Sequence, residues 1–148
     1  IAKHLGAYVI GTASAANKNF VLSLGADEFV DYTAQPLDEV ISNADKVLDA
    51  IGGDNIDLSL KLMKPGGTIL SLPSGKNEEV QEKAAAKGMN GLRIMVQSSG
   101  ADEKKLAALM EQGIIKPYIS KTFSFNEMKE AHLQIESGRT VGKIIVTV

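Results

Sequence analysis

Short apolar runs alternate with amphipathic segments along the whole chain, and the length of each kind is typical of one type of element. The six apolar runs of strand length are Ala7–Thr12, Asp27–Tyr32, Lys46–Ile51, Thr68–Leu72, Leu92–Val96 and Gly142–Val148. The segments between them have helical periodicity; in one of them Ile56, Leu60 and Met63 follow an i, i+4, i+7 pattern. This alternation predicts an α/β fold with a mostly parallel sheet and helices on both faces.

Capping residues and glycines mark the expected ends of the helices. The helices are expected from Ser14 to Gly25, over Leu37–Ser42, after Asp54, over Asn77–Lys87, over Asp102–Gln112, and from the capping box Ser124–Glu127 to Ser137. Ser14 and Asp54 are the predicted N-caps of the helices that follow them. Pro65-Gly66-Gly67 predicts a turn before the fourth strand, and Pro117 makes Ile114–Ile119 an extended edge segment.

Composition narrows the class of protein. The 148 residues predict one domain, and 16 Lys and Arg against 18 Asp and Glu are scattered, which favours neither a nucleic-acid partner nor a membrane surface. The chain has no cysteine, so thiolate nucleophiles, disulfides and cysteine zinc ligands are absent from it. No apolar run approaches the roughly 20 residues of a membrane span. A cytoplasmic location is expected.

The first residues have the pattern expected at the end of a helix. Ile1–Leu5 reads as the last turn of a helix, Gly6 as its stop, and there is no initiator methionine. We therefore expect the chain to be a piece of a longer protein.

The end of the first apolar run is the strongest candidate for ligand binding. In dinucleotide-binding folds an acidic side chain here holds the adenosine ribose, and it must be absent where a 2′-phosphate has to fit. This chain has the hydroxyls of Thr12 and Ser14 instead, with Lys18 one helical turn further on. That set predicts NADPH in preference to NADH. The alternative is a capped surface helix with a solvated lysine.

Other strand ends carry weaker candidates. Tyr32 is placed to lie against an adenine edge, although ordinary packing explains it equally. Gly52-Gly53 and the segment Ser71–Ser74 follow two further strands, at the edge where open α/β sheets bind ligands, and each also has the composition of a plain turn. Asp49 lies inside an apolar strand, where we expect a structural hydrogen-bonding role, for example to a neighbouring helix N-terminus.

Several catalytic patterns are missing. The chain has no G-x-G-x-x-G, no G-x-S-x-G and no Walker loop, and its two histidines, His4 and His132, are far apart. No pair of nucleophile and base emerges from the pattern, so the catalytic residues stay unknown.

Several further stretches form a pattern by their order and spacing: Ile1–Ala7 with Val9–Thr12, Leu24–Asp27 with Val30–Tyr32, Val47–Gly53, Pro65–Gly67, Ala131–Gly138 and Gly142–Val146. Together they resemble the medium-chain dehydrogenase/reductase family, especially its NADPH:quinone oxidoreductase-like branch. The resemblance implies a Rossmann-type, doubly wound, mostly parallel sheet. It also implies that residues 1–148 are part of a dinucleotide-binding domain plus the C-terminal segment, and that the first strand, the glycine-rich turn and an N-terminal substrate domain lie outside this chain.

The resemblance further implies a reaction and residue roles. A zinc-free, NADPH-dependent reductase would pass hydride to a quinone or an α,β-unsaturated carbonyl compound. Position by position, Ser14 and Lys18 match 2′-phosphate contacts, Tyr32 the adenosine end, and Ile51-Gly52 and Leu72-Pro73 segments toward the nicotinamide. Leu92–Val96 matches an edge strand that pairs two subunits, so a homodimer is expected.

Two other functions stay open at this point. One is a zinc-dependent alcohol dehydrogenase whose metal ligands lie outside this chain, since no zinc site is expected within it. The other is a non-catalytic nucleotide-binding or dimerisation fragment, because catalysis by the isolated chain is not expected.

Overall fold

All strand pairs of the protein are parallel, as the alternation of strands and helices predicts. The computed structural model describes residues 1–148, which divide into one compact unit of residues 2–98 and a second of essentially residues 99–148. Each unit is an α/β arrangement, because helices connect its successive parallel strands. The predicted fold class is confirmed.

The first unit contains five strands and four helices. In chain order they are β1 (Ile10–Ala13), α1 (Lys18–Ser23), β2 (Glu28–Asp31), α2 (Leu37–Val40), β3 (Ala44–Asp49), α3 (Asn55–Lys61), β4 (Met63–Ser71), α4 (Val80–Ala86) and β5 (Asn90–Arg93). A 3-10 turn over Ala15–Asn17 precedes α1. The strands form two separate sheets, of order β1-β2 and β3-β4-β5.

The core of the three-stranded sheet lies on one face. Val47 and Ile69 are register partners on neighbouring strands, and helices α3 and α4 cover them. The buried residues of this core are Ile56, Leu60, Met63, Ile69, Val80 and Ala84. The helical stripe predicted from Ile56, Leu60 and Met63 is therefore buried, although Met63 already belongs to β4.

The opposite face of this sheet is open. Leu48, Leu70 and Leu92 lie side by side in register across β3, β4 and β5. Leu48 is 68% exposed and Leu92 is 46% exposed. We call this row the leucine row.

A second core links β2 to the helices around it. Val30, Ile41 and Leu62 are buried together, with Ile10 and Leu58 packed against them. Because Leu58 and Leu62 face this core while Ile56 and Leu60 face the other, α3 joins the two. Strands β1 and β3 are both edge strands, each with one paired neighbour.

The chain before β1 closes a helix-like turn. Gly6 donates its N–H to the Lys3 carbonyl (2.9 Å), and Ala7 donates to that of Ala2 (3.0 Å). Gly6 has φ of 83°, so these are the paired hydrogen bonds of a Schellman helix ending. The stop predicted at Gly6 is present.

The second unit pairs two parallel strands around one helix. Its elements are α5 (Gly100–Glu111), β6 (Ile119–Ser124), α6 (Met128–Glu136) and β7 (Lys143–Thr147). The predicted capping box is formed, since Ser124 donates its N–H and its hydroxyl to the Glu127 carboxylate, both at 2.8 Å. These two bonds hold the pKa of Glu127 below its usual range.

Several strand boundaries differ from those that the sequence predicts; for example, β1 begins at Ile10 rather than Ala7, and β3 ends at Asp49 rather than Ile51. The fifth strand is Asn90–Arg93 rather than Leu92–Val96, so Ile94 to Val96 lie beyond it. The sixth is Ile119–Ser124 rather than an extended Ile114–Ile119, because its hydrogen-bonding partner is β7. The turn Pro65-Gly66-Gly67 lies within β4, as an irregularity between the Met63 and Thr68 pairings.

No helix of either unit is long and apolar enough to cross a membrane.

Candidate functional site

The carboxyl ends of four strands of the first unit carry the predicted site residues. Because neighbouring parallel strands end at the same edge, the structure groups these ends in two pairs. Ala13 at the end of β1 is opposite Asp31 at the end of β2, and Asp49 at the end of β3 is opposite Ser71 at the end of β4. Residues that follow each strand end are thereby brought close to those that follow its partner.

The end of β1 presents two hydroxyls and a cation. Thr12 is exposed, and Ser14 is half-buried, at the N-cap position of the 3-10 turn. The Ser14 hydroxyl makes no capping bond to the helix backbone, which corrects the predicted capping role; it accepts a long hydrogen bond from Asn17 Nδ2 (3.4 Å). Lys18 is the first residue of α1, exposed and without an ion pair. These donors are therefore available to an anion.

A carboxylate lies at the neighbouring strand end. Asp31 accepts hydrogen bonds from the Thr33 hydroxyl (2.7 Å) and from the Thr33 N–H (2.9 Å). These bonds lower the pKa of Asp31, and the Ala15 N–H contributes to the same shift. A negative charge is thus held beside the turn that Ser14 opens. The next residue, Tyr32, is 57% exposed, so its ring is free to contact a ligand.

The ends of β3 and β4 are joined by a buried carboxylate. Asp49, 2% exposed, accepts five hydrogen bonds with its two carboxylate oxygens. The donors are the Ser71 hydroxyl (2.6 Å), Asn55 Nδ2 (2.8 Å), the Ile51 N–H (3.0 Å) and the Gly52 N–H, which lies 3.1 Å from each oxygen. The hydrogen-bonding role expected for Asp49 is present, because its carboxylate accepts hydrogen bonds from the backbone N–H groups of Ile51 and Gly52, which lie just before α3.

The balance of these contacts keeps Asp49 ionised. Burial is the largest single influence and raises the pKa of the Asp49 carboxyl. The hydrogen bonds from Ser71, Gly52, Ile51 and Asn55 together outweigh burial, so that the pKa lies below its usual value. The strand end therefore carries a charged, fully hydrogen-bonded carboxylate at neutral pH.

The turn after β3 packs directly on the loop after β4. Gly52 has φ of 72°, and a Cβ placed there would lie 2.5 Å from the Lys76 carbonyl oxygen and 2.7 Å from Pro73 Cγ. Gly53 donates its N–H to the same Lys76 carbonyl (2.7 Å), and Leu72 donates to the Asp49 carbonyl (3.0 Å). Only glycine satisfies both the left-handed backbone and this close approach.

Apolar side chains flank this packed turn. Ile51 is 64% exposed and Leu72 is 41% exposed, so both present apolar surface to a ligand. A shallow cavity of about 260 Å³ lies beside the turn, lined by Gly53, Ile56, Gly75, Lys76, Glu78 and Glu79.

Sequence patterns alone miss the residues that support this turn. Ser71 and Asn77 are fully buried, and Asn77 Nδ2 donates to the Ser71 carbonyl (2.8 Å). Asn55 and Ser71 each donate to Asp49. One signal was present: polar residues at the ends of two neighbouring apolar strands, Asp49 and Ser71, predict a contact between them.

The structure contains no group of three or more histidine, aspartate and glutamate side chains that could hold a metal ion. His4 and His132 are both exposed, and His132 lies on α6 in the second unit. No residue of this chain is assigned to metal binding or to proton transfer.

Parallel strands linked by helices, with glycine and hydroxyl residues at their carboxyl ends, define a Rossmann-type nucleotide-binding domain. A family profile described as zinc-binding dehydrogenase matches residues 24–146. The chain therefore belongs to the zinc-binding dehydrogenases of the medium-chain dehydrogenase/reductase family, and it is quinone oxidoreductase-like.

Curated relatives and a solved structure agree with this assignment. The mitochondrial NAD(P)H oxidoreductase RTN4IP1 of Danio rerio is 28% identical over 99% of this chain, and the chloroplastic NADPH-dependent alkenal/one oxidoreductase of Arabidopsis thaliana is 32% identical over 99%. The structure of the quinone oxidoreductase from Coxiella burnetii matches with a TM-score of 0.92 at 30% identity, over 99% of this chain.

The chain spans less than half the length of these proteins. It covers 44% of the zebrafish relative, 36% of the Arabidopsis relative and 47% of the Coxiella chain. The relatives are oxidoreductases that use nicotinamide cofactors, by their names.

Proposed function

We propose that this chain supplies the cofactor-binding part of an NADPH-dependent oxidoreductase that transfers hydride to a quinone or an α,β-unsaturated carbonyl compound. The observation that carries the proposal is the end of β1, where the Ser14 hydroxyl makes no capping bond and Lys18, four residues further on, is exposed without an ion pair. Names of relatives that include a quinone oxidoreductase and an alkenal/one oxidoreductase support the substrate class.

In this proposal the edge of β1 and β2 holds the adenosine half of the cofactor. Thr12 and Ser14 donate hydrogen bonds to the 2′-phosphate, and Lys18 supplies a positive charge. Tyr32 lies along the adenosine, where its exposed ring offers apolar contact. The Asp31 carboxylate lies beside this edge and opposes negative charge there, so Lys18 has to balance it.

The edge of β3 and β4 holds the nicotinamide half. Ile51-Gly52 and Leu72-Pro73 pack against one another and present apolar side chains, which orient a planar ring and exclude water from it. The bound cofactor supplies the hydride, and the protein supplies position and environment. The small-molecule substrate, the proton donor and the substrate domain belong to the proposed remainder of the protein.

We further propose that a strand outside this chain completes the sheet of the first unit. β1 and β3 are edge strands of two sheets that share the helix α3, and neither has a second neighbour. Unpaired strand edges leave N–H and C=O groups without partners, which a strand between them would satisfy. Since that strand and a glycine-rich turn are expected to complete the cofactor site, the isolated chain should not turn over substrate.

A homodimer through the segment Leu92–Val96 is part of the proposal. Met95 is 58% exposed and Val96 is 96% exposed, directly beyond the edge strand β5. Apolar residues at a strand edge are suited to pairing with a second copy. The proposed location is the cytoplasm; the curated relatives named above are mitochondrial and chloroplastic.

Calorimetric titration of the chain with NADPH and, separately, with NADH tests the cofactor proposal. We expect NADPH to bind more tightly than NADH, because only NADPH carries the 2′-phosphate. Binding of neither nucleotide would mean that the site needs the strand and glycine-rich turn proposed to lie outside this chain, and the same failure in the complete protein would remove the proposed function. Equal affinities would remove the role assigned to Ser14 and Lys18.

A zinc-dependent alcohol dehydrogenase is the second candidate. It is favoured by the family description and by the structure of an NAD-dependent alcohol dehydrogenase that matches with a TM-score of 0.87 at 25% identity. Metal analysis of the complete protein separates the two, because a stoichiometric catalytic zinc is required by the alcohol dehydrogenase and by no step of the reductase.

A further inference from the structure

The buried carboxylate of Asp49 lies between the two segments assigned to the nicotinamide half of the cofactor. We propose that Asp49 is a positioning residue, which fixes the Ile51-Gly52 backbone against Leu72-Pro73 so that both segments contact the cofactor as one surface. The inference rests on the proposed function of this edge, and it adds a residue that touches no ligand itself.

The first support is the cost of a charge at this position. Asp49 shares its face of the sheet with Val47 and Ile69, and Ile69 is fully buried. An apolar side chain would satisfy the packing there, whereas a buried carboxylate is tolerated only when its hydrogen bonds are complete. Asp49 has that complete set, with five bonds over two oxygens. The charge of the carboxylate is therefore stabilised by hydrogen bonds from the protein groups around it.

The second support is the identity of those groups. Two of the donors are the backbone N–H groups of Ile51 and Gly52, and a third is the hydroxyl of Ser71, the residue immediately before Leu72. The carboxylate thus binds one assigned segment directly and the other through the residue next to it. The Leu72 N–H also donates to the Asp49 carbonyl, so the backbone of Asp49 helps to hold the two segments together as well.

The third support is that Ser71 is itself held from other sides. Its carbonyl accepts hydrogen bonds from Asn77 Nδ2 (2.8 Å) and from the Ile94 N–H (3.3 Å). Ser71 is fully buried and cannot turn to solvent. Because Ser71 is fixed, its 2.6 Å hydrogen bond to Asp49 also fixes the carboxylate, which in turn holds the turn at Gly52 in place. Gly52 packs so closely on Pro73 that there is no room for a Cβ between them.

The experiment compares NADPH binding by the complete wild-type protein with binding by Ser71→Ala, which removes one donor and leaves Asp49 in place. Asp49→Asn is the direct variant, and Ser71→Ala is the milder one if Asp49→Asn does not fold. Ser42→Ala is the matched control, since Ser42 is an exposed serine before β3, at the opposite end of that strand from Asp49. Circular dichroism establishes that each variant is folded at the temperature of the titration.

We expect Ser71→Ala to weaken NADPH binding roughly 2- to 10-fold, the effect of one lost hydrogen bond, and Ser42→Ala to leave the affinity unchanged. The amide resonances of the ¹⁵N-labelled chain supply a readout that global stability does not move. In Ser71→Ala the Ile51 and Gly52 amides should shift before any nucleotide is added, and their further change on saturation with NADPH should differ from wild type. The resonances of Ser14 and Lys18 should respond as in wild type.

Three results would overturn the inference. A folded Ser71→Ala chain that binds NADPH with wild-type affinity and unshifted Ile51 and Gly52 amides would leave Asp49 with a stabilising role only. Equal losses in Ser71→Ala and Ser42→Ala would give the same answer. A complete wild-type protein that binds no NADPH would overturn the proposed function first, and that failure is distinct because it appears before any variant is made.

Discussion

Lys18 is the residue on which the proposed choice of cofactor depends. Its ammonium group is exposed at the start of α1 and has no ion-pair partner, while the carboxylate of Asp31 lies beside the preceding turn. A cation in this position can offset both that carboxylate and a ligand phosphate.

We predict that Lys18→Ala in the complete protein weakens the binding of NADPH about 10- to 100-fold and leaves the binding of NADH nearly unchanged. The reason is that Lys18 is assigned to the 2′-phosphate, which NADH does not carry. Dissociation constants for both nucleotides provide the measurement. Lys104→Ala removes an exposed lysine on α5 in the second unit and serves as the control. A parallel loss for NADPH and NADH would contradict the assignment of Lys18 to the 2′-phosphate.

Asp49 gives the protein a pH-dependent contribution to stability. Its folded pKa is lowered, so the contribution is fully present above the ordinary aspartate pKa of about 3.9 and is lost as the pH falls through the folded value.

Asp49→Asn should cost about 1 to 3 kcal/mol of unfolding free energy at pH 7, because buried donors lose a charged acceptor. The difference from wild type should shrink as the pH falls below about 3.9, since the unfolded wild-type chain then binds a proton that the folded carboxylate does not bind. Urea unfolding of both chains between pH 7 and pH 2 measures the difference directly, and the other aspartates are common to both. A difference that does not depend on pH would show that the charge of Asp49 is not what stabilises the fold.

Single residues also show how much of the site could be predicted from the sequence. Asp49 was recognisable as a residue with a hydrogen-bonding task, because a carboxylate inside an apolar strand requires partners. Its partners Asn55 and Ser71 were not recognisable, since the register of β3 against β4 decides which donors meet it. Ser14 has the residue type and position of an N-cap, yet its hydroxyl makes no bond to the helix backbone and instead accepts one from Asn17 Nδ2.

The turn between β3 and α3 shows how one element constrains the next. Gly52 and Gly53 both have positive φ, but a Cβ on Gly52 would collide with Lys76 and Pro73, whereas one on Gly53 would meet nothing within 4 Å.

This pair makes a matched experiment. Both Gly52→Ala and Gly53→Ala should lose about 1 kcal/mol for the left-handed backbone, and Gly52→Ala should lose roughly 1 to 3 kcal/mol more because the loop after β4 has to move. Urea unfolding at neutral pH gives both values. Equal destabilisation would mean that the two loops can separate freely, contrary to the packing described for them.

Elements were more predictable in kind than in extent. Every predicted helix is present, because helical periodicity and glycine stops mark the helices, although the predicted N-caps Ser14 and Asp54 make no side-chain bond to the helix backbone. Strand β6 was expected at Ile114–Ile119 and lies at Ile119–Ser124, since its ends are set by pairing with β7 and not by its own residues. The strand predicted at Leu92–Val96 lies at Asn90–Arg93 for the same reason, because pairing with β4 sets the extent of β5.

For the whole molecule, the principal question is what it assembles with. The proposed dimer places Leu92–Val96 at the centre of an interface, and Val96, at 96%, is the most exposed apolar residue of that segment.

We expect the wild-type chain to sediment as a dimer and Val96→Lys as a monomer, because a charge at the centre of an apolar interface is costly to bury. Leu48→Lys is the control, as it places the same charge on an exposed apolar residue of the leucine row. Sedimentation velocity at several concentrations distinguishes the species. A Val96→Lys chain that remains dimeric would place the interface elsewhere.

The leucine row has a consequence for the heat capacity of unfolding. An ordinary domain gains about 12 to 15 cal/mol/K per residue when it unfolds, mainly because buried apolar surface becomes hydrated. Leu48 and Leu92 are already hydrated in the folded chain, so they contribute little to that gain. Many other large apolar side chains of the chain are exposed as well, so differential scanning calorimetry should give a value below the roughly 1.8 to 2.2 kcal/mol/K expected for 148 residues. The stability of the chain should then vary unusually little with temperature, and a value inside the ordinary range would mean that this apolar surface is covered in solution.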